Sequence, residues 1–329
     1  MSRSLVNLPK AHLHLHLDGS LRRSTVEEIA REQGREVPRS RGYGSFDHFM
    51  DVIVAAAACL RDENDVRRAV REIVEDARIA GAVWLELSVW PGLFGHRLGD
   101  YRAALVAVLD AGRVAADEHG VGFGLVAAAN RGVGVDDAIT VATVAAELAG
   151  DGVVGFGLDG DEAAAPAARF RRPFEIAREA GLLSVPHAGE NDGPGSVRDA
   201  LDVLGADRVM HGVRSIYDPA LVEELARKGT TLDVCPTSNA LLGVYHPVAA
   251  NPLRALLDAG VRCSLNADDS LLFETDLLHE YEIARSILGL SDEQLAAVAA
   301  ASVDGSAAPI ELKTATLSSI AAWLHDCPG

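Results

Sequence analysis

Residues 11–19 read Ala11-His12-Leu13-His14-Leu15-His16-Leu17-Asp18-Gly19, with three histidines at alternate positions. In an extended segment every second side chain points to the same face. His12, His14, His16 and Asp18 are therefore predicted on one face and the leucines on the other. Two imidazoles two residues apart on a strand can reach a single metal ion. The blander account, interior histidines satisfying one another by hydrogen bonds, suits a lone histidine better than three in one register. Other ionisable groups follow short apolar runs: Pro186-His187-Ala188-Gly189-Glu190, Met210-His211-Gly212 and Asn266-Ala267-Asp268-Asp269. Taken singly, His211 reads as a satisfied interior histidine and Asp268-Asp269 as a helix N-cap. Taken jointly, a divalent metal held by His14, His16, His187 and Asp268, with Glu190, His211 and Asp269 around it, accounts for them better.

The elements that must position these groups alternate along the chain. Strands are predicted at 11–17, 83–89, 122–128, 153–158, 182–186, 208–210, 231–234 and 262–265. Helices with apolar residues at three and four spacing are predicted at 101–118, 136–149, 173–180, 219–227 and 252–259. Strand then helix, repeated eight times, is the sequence form of a closed (β/α)8 barrel, a TIM barrel within the α/β class. An open doubly wound sheet is the competing architecture. In a barrel, catalytic groups lie at strand C-terminal ends, which is where the histidine and carboxylate clusters fall. No linker or low-complexity tract divides the chain, so a single domain over 1–329 is expected. Residues 20–82 are too long for one crossover and should form a helical insertion over the site. Residues 290–329 should add C-terminal helices.

Composition narrows the partners. The 329 residues carry 30 Lys+Arg against 48 Asp+Glu, a net charge of −18, which would repel a nucleic-acid backbone or an anionic membrane. An uncharged or cationic small molecule is the easier partner. Cys59, Cys235, Cys263 and Cys327 form no CxxC, which suggests neither a zinc knuckle nor a disulfide framework. No stretch approaches the roughly 20 apolar residues of a membrane span, and residues 1–10 lack a signal pattern. A cytoplasmic protein is expected; oligomeric state is not legible.

The motifs in order resemble the adenosine deaminase family of metal-dependent amidohydrolases. The resemblance runs through LPKAHLHLHLDGSL at the start, GLDGDE at 157–162, VPHAGENDGPGSV at 185–197, RVMHGVRSIYDPALV at 208–222, DVCPTSNALLGVYHP at 233–247 and SLNADDSLLF at 264–273. It implies one zinc ion on His14, His16, His187 and Asp268, lowering the pKa of a bound water. It implies that His211 orients the resulting hydroxide and takes its proton, and that Glu190 protonates N1 of a purine. It further implies that Asp269 binds N7, that Gly160 offers its backbone N–H to N3, and that Asp18 binds the ribose end. Phe46 and Phe49 resemble the family's apolar lid, although ordinary helix packing explains their spacing equally well.

The implied reaction is hydrolytic deamination of adenosine or 2′-deoxyadenosine. Adenine and 5′-modified adenosines such as 6-amino-6-deoxyfutalosine are alternative substrates, and a non-catalytic ligand-binding relative is the alternative of another class. The lysines are Lys10, Lys228 and Lys313 alone, so no lysine is available on the fourth strand to bridge two metals, and a single ion is expected. Some residues depart from the family pattern. His12 stands where a carboxylate is usual and reads as a deeper, non-ligand group. Gly157 and Asp159 stand where Asp and Ala are frequent, and Asp159 ends strand four near the expected substrate. Ser270 replaces a proline.

Overall fold

The computed structural model describes residues 3–39 and 41–325. Eight parallel strands pair in sequence order: β1 (Lys10–His16), β2 (Ala82–Val89), β3 (Gly122–Asn130), β4 (Val153–Asp159), β5 (Leu183–Ala188), β6 (Arg208–His211), β7 (Thr231–Val234) and β8 (Arg262–Leu265). Sequential pairing with interleaved helices is the (β/α)8 barrel; an open doubly wound sheet would reverse its strand order.

The seam between β8 and β1 is irregular and chemically important. Asp268 donates its N–H to the His14 carbonyl at 3.1 Å, and His16 donates to the Asp268 carbonyl at 2.9 Å. Just below, Oδ1 of Asn266 accepts the N–H groups of Leu13 at 2.8 Å and His14 at 3.1 Å. Residues carrying the expected metal donors thus close the barrel with their own backbones.

The pairing of β1 with β2 shifts register between His12 and Leu15, which corrects the strict alternation expected there. His12 and Leu15, expected on opposite faces, line one small cavity with Ile73 and Ala77. His12 accepts the Ala267 N–H through Nε2 at 3.2 Å and does not line the main cleft.

The insertion divides into the helices Arg23–Gln33, Phe46–Ala57 and Glu63–Ile79. Asp62 caps the third by accepting the N–H groups of Asn64 and Asp65, as an N-cap carboxylate does. Its buried stripe, Val66, Val70, Ile73 and Ala77 among others, packs on β2 and on the helix Tyr101–His119. This helix therefore serves as the ordinary crossover, while Phe46–Ala57 leans over the strand ends. The C-terminal helices Asp292–Gly305 and Ile310–His325 pack on each other, and the former also covers β1 and β8.

Within the barrel a buried charge cluster ties strands together. Arg208 donates from Nη2 to Glu86 at 2.6 Å and from Nε to Asp233 at 2.9 Å. Cys59, Cys235 and Cys263 are buried and unbridged; Cys327 lies outside the described residues. No helix among the described residues is long and apolar enough to cross a membrane.

Candidate active site

The strand C-terminal ends open into a cleft of about 500 Å³, counted to its mouth, within the range of small-molecule sites. It gathers Asp18, Gly160, Glu190, His211 and Asp269 with the metal candidates His16, His187 and Asp268, and it is roofed by Phe46 and Phe49. Phe49 stacks on Phe273 at 5.4 Å and meets Phe46 at 5.9 Å, so these phenylalanines pack together as well as line the cleft.

His14 and His16 point Nε2 atoms at each other across 3.2 Å. Oδ1 of Asp268 lies 3.2 Å from the first and 3.3 Å from the second. Donors roughly 2.0–2.1 Å from a tetrahedral ion stand about 3.3 Å apart, so this triangle fits a zinc-sized ion. Donor atoms of His14, His187, His211 and Asp268 also all lie within 4.8 Å of one another. Geometry alone thus offers the triangle of His14, His16 and Asp268, a four-residue group that includes His211, and a three-residue group of His16, Asp159 and His187. On its far side, Nδ1 of His14 faces the Asp233 carbonyl at 3.3 Å.

Two of these residues hold unusual backbones. His211 has φ 64° and Asp268 φ 61°, left-handed conformations that cost a non-glycine residue on the order of 1–3 kcal/mol and cluster at functional sites. Gly160 has φ 93°, and a Cβ there would meet Oδ1 of Asn130 at 2.9 Å. Only glycine brings the backbone this close to the cleft. Asp269 precedes the short helix Ser270–Phe273 but makes no side-chain cap; its Oδ1 is buried without a partner.

Glu162 explains the rest of the GDE triplet. Its carboxylate accepts the N–H groups of Gly189 at 2.7 Å, Glu190 at 2.8 Å and Asn191 at 3.0 Å, and the hydroxyl of Ser196. It thereby holds the turn that presents Glu190. The Glu190 side chain accepts from Asn191 at 3.1 Å through Oε2, while Oε1 has no hydrogen-bond partner and faces Nε2 of His211 at 3.6 Å.

Burial decides the charge states. Burial, then the neighbouring Asp268 and Glu162 carboxylates, push Glu190 well above the usual carboxylate range. Burial and Asp268 do the same to Asp269, and burial raises Asp18 to about 6. Burial alone would raise Asp268 too, but His14, His16 and His211 hold it well below its ordinary value. Burial and His14 push His211 well down. His16 and His187 likewise hold Asp159 below its ordinary value against the effect of burial, so the cleft combines neutral-poised carboxyl groups with two ionised carboxylates beside imidazoles.

Sequence reasoning missed Trp90 and Asn130, which line the cleft from the ends of β2 and β3. Asn130 ends an apolar run, the same signal that marks His187. It also missed Asn239 and Asn251, buried behind His211, for which local spacing carries no signal. Asp159, expected near the substrate, lines the cleft and also stands beside His16 and His187.

A (β/α)8 barrel with convergent histidines and carboxylates at its strand ends defines the amidohydrolase class of fold and site. The family model described as Adenosine deaminase matches residues 9–323, and the chain belongs to that family, hydrolases acting on C–N bonds. It is 44% identical to a Streptomyces coelicolor protein provisionally named adenosine/adenine deaminase, over 98% of each chain. It superposes on an adenine deaminase from Arthrobacter aurescens with a TM-score of 0.89 at 29% identity, covering 97% of this chain and 99% of that one. An amidohydrolase from Burkhoderia ambifaria with bound Zn gives a TM-score of 0.86 at 25% identity, covering 98% and 94%.

Proposed function

We propose that the protein hydrolyses the exocyclic amino group from an adenine nucleoside, adenosine or 2′-deoxyadenosine, with one zinc ion held by His14, His16, His187 and Asp268. The observation that carries this reading is the meeting, in one cleft, of a zinc-sized donor triangle with the neutral-poised carboxyl of Glu190. Imidazole nitrogens and a carboxylate oxygen are the donors zinc prefers. A bound zinc ion supplies Lewis acidity that makes a water nucleophilic near neutral pH.

The remaining work falls to the chain's own side chains. Glu190, protonated, gives its proton to ring nitrogen N1 and makes C6 electrophilic. Asp269, held neutral, donates to N7, an acceptor that a carboxylate would repel. The Gly160 N–H meets N3, Asp18 receives the ribose hydroxyls, and His211 orients the attacking water. Phe46 and Phe49 exclude solvent over the base, which strengthens each of these contacts. Water adds at C6 and its displaced proton passes to the amino group; ammonia leaves as the C6 carbonyl forms, and the hydroxyl proton released at that step returns to Glu190.

A second reading, deamination of free adenine, is supported by the likeness to the Arthrobacter aurescens adenine deaminase. Both readings share an unphosphorylated substrate, because among the described residues five carboxyl groups and no lysine or arginine line the cleft. The nearby guanidinium groups are committed to backbone: Arg131 to the Ala165 and His187 carbonyls, and Arg214 to that of Glu190. Metal analysis with a panel of adenosine, 2′-deoxyadenosine, adenine and 5′-modified adenosines tests the assignment. Ammonia release from the nucleosides is expected, and preference for adenine would select the second reading.

A further inference from the structure

A chain of buried amides fixes where His211 carries its proton. The backbone N–H of Leu253, which can only donate, bonds to Oδ1 of Asn251 at 3.0 Å. That contact orients the Asn251 amide, whose Nδ2 donates to Oδ1 of Asn239 at 3.2 Å. Nδ2 of Asn239 is then left to donate to Nδ1 of His211, 3.2 Å away. Turning the Asn239 amide over would set its donor against the Asn251 donor. Both asparagines are buried, Asn239 fully, so water does not relieve such a clash. A neutral imidazole with an accepting Nδ1 must hold its proton on Nε2. That atom faces Oε1 of Glu190 at 3.6 Å and Oδ2 of Asp268 at 3.8 Å.

We infer that Asn239 and Asn251 are positioning residues that lock His211 in the Nε2–H tautomer, so that His211 serves the site as a hydrogen-bond donor and not as a metal ligand. Metal ligation through Nε2 needs a lone pair that this tautomer does not offer. The inference rests on the active-site reading above: it removes His211 from the four-residue group and agrees with the ligands proposed there, His14, His16, His187 and Asp268. It also keeps the orienting half of the role expected for His211 and removes the proton-accepting half, since Nε2 is occupied.

The test uses the full-length, metal-loaded protein labelled with ¹⁵N-histidine. Long-range nitrogen–proton correlation should show His211 protonated on Nε2 and bare on Nδ1. Asn239→Asp replaces the donor by a pure acceptor and should move the proton to Nδ1. With the Nε2 donor lost, kcat should fall by about 100-fold, with KM and bound metal within about twofold of wild type. His211→Ala should also retain its metal, a readout independent of whether the Asn239 variant folds. A proton on Nδ1 in the wild type, or loss of metal from His211→Ala, overturns the inference. Wild-type protein with neither metal nor turnover would instead overturn the deaminase reading, while the tautomer of His211 remains measurable.

Discussion

Oδ1 of Asp159 lies 3.2 Å from Nδ1 of His187, and Oδ2 of the same carboxylate lies 3.8 Å from Nδ1 of His16. His16 meanwhile turns Nε2 toward His14 and Asp268. One carboxylate thus backs two imidazoles from the side away from the donor triangle, where such partners fix the tautomer and aim of metal-binding histidines. Asp159→Ala should weaken divalent-ion binding by roughly 10- to 100-fold, read by chelator competition. Unchanged metal affinity with a raised KM would instead make Asp159 a substrate contact.

Glu190→Gln keeps the shape of the side chain but removes the proton that N1 requires. It should retain metal and substrate binding while kcat drops by about 10²–10⁴-fold. Undiminished turnover would take Glu190 out of the acid role. Because burial raises its pKa, the active form is the protonated one, present at lower pH. Turnover should decline as pH rises through that raised value, and this limb should vanish in the variant.

Glu280 offers a stability test away from the chemistry. It is fully buried, accepts from Thr275 at 2.6 Å and from the Thr237 N–H at 3.2 Å, and burial still pushes it up to about 7. The folded protein then holds a proton that the unfolded chain releases from about pH 4.5 upward. Its contribution is fully present below that pH and is lost as pH rises through 7, at a slope of up to roughly 1.4 kcal/mol per unit. Glu280→Gln should flatten the fall of Tm between about pH 5 and 7. An equal slope in both proteins would show that Glu280 ionises freely.

Phosphate selectivity follows from the lining. A 5′-monophosphate would bring two negative charges to a cleft lined, among the described residues, by the ionised Asp159 and Asp268 and by no lysine or arginine, where each like-charge contact at 4 Å costs about 1 kcal/mol in water and about 4 at an effective dielectric of 20. AMP should be turned over with a kcat/KM at least roughly 100-fold below that of adenosine or adenine. Comparable values would require a cationic group to swing into the cleft.

Much of this centre is legible in the sequence because its residues announce themselves locally. His187, His211 and Asp268 each follow a short apolar run, and the runs 231–234 and 262–265 coincide with β7 and β8. His14 and His16 emerge from the alternation in β1, yet the same rule misplaces His12, because the register with β2 shifts between His12 and Leu15. A pairing irregularity depends on the neighbouring strand and leaves no mark in a period-two pattern. Asn239 and Asn251 matter through partners brought together by folding: Asn239 meets a histidine 28 positions away. Residues 20–82 are legible only as a helical insertion over the site; that its last helix, Glu63–Ile79, serves as the crossover on β2 follows from packing.

The most direct test of the central claim is ammonia release, with loss of the adenine chromophore, from metal-depleted protein titrated with zinc in the presence of adenosine. Turnover should be absent without metal, and activity should rise with added zinc to a plateau at one ion per chain. Full activity in the depleted protein, or no ammonia from adenosine, 2′-deoxyadenosine or adenine at any zinc loading, would contradict it.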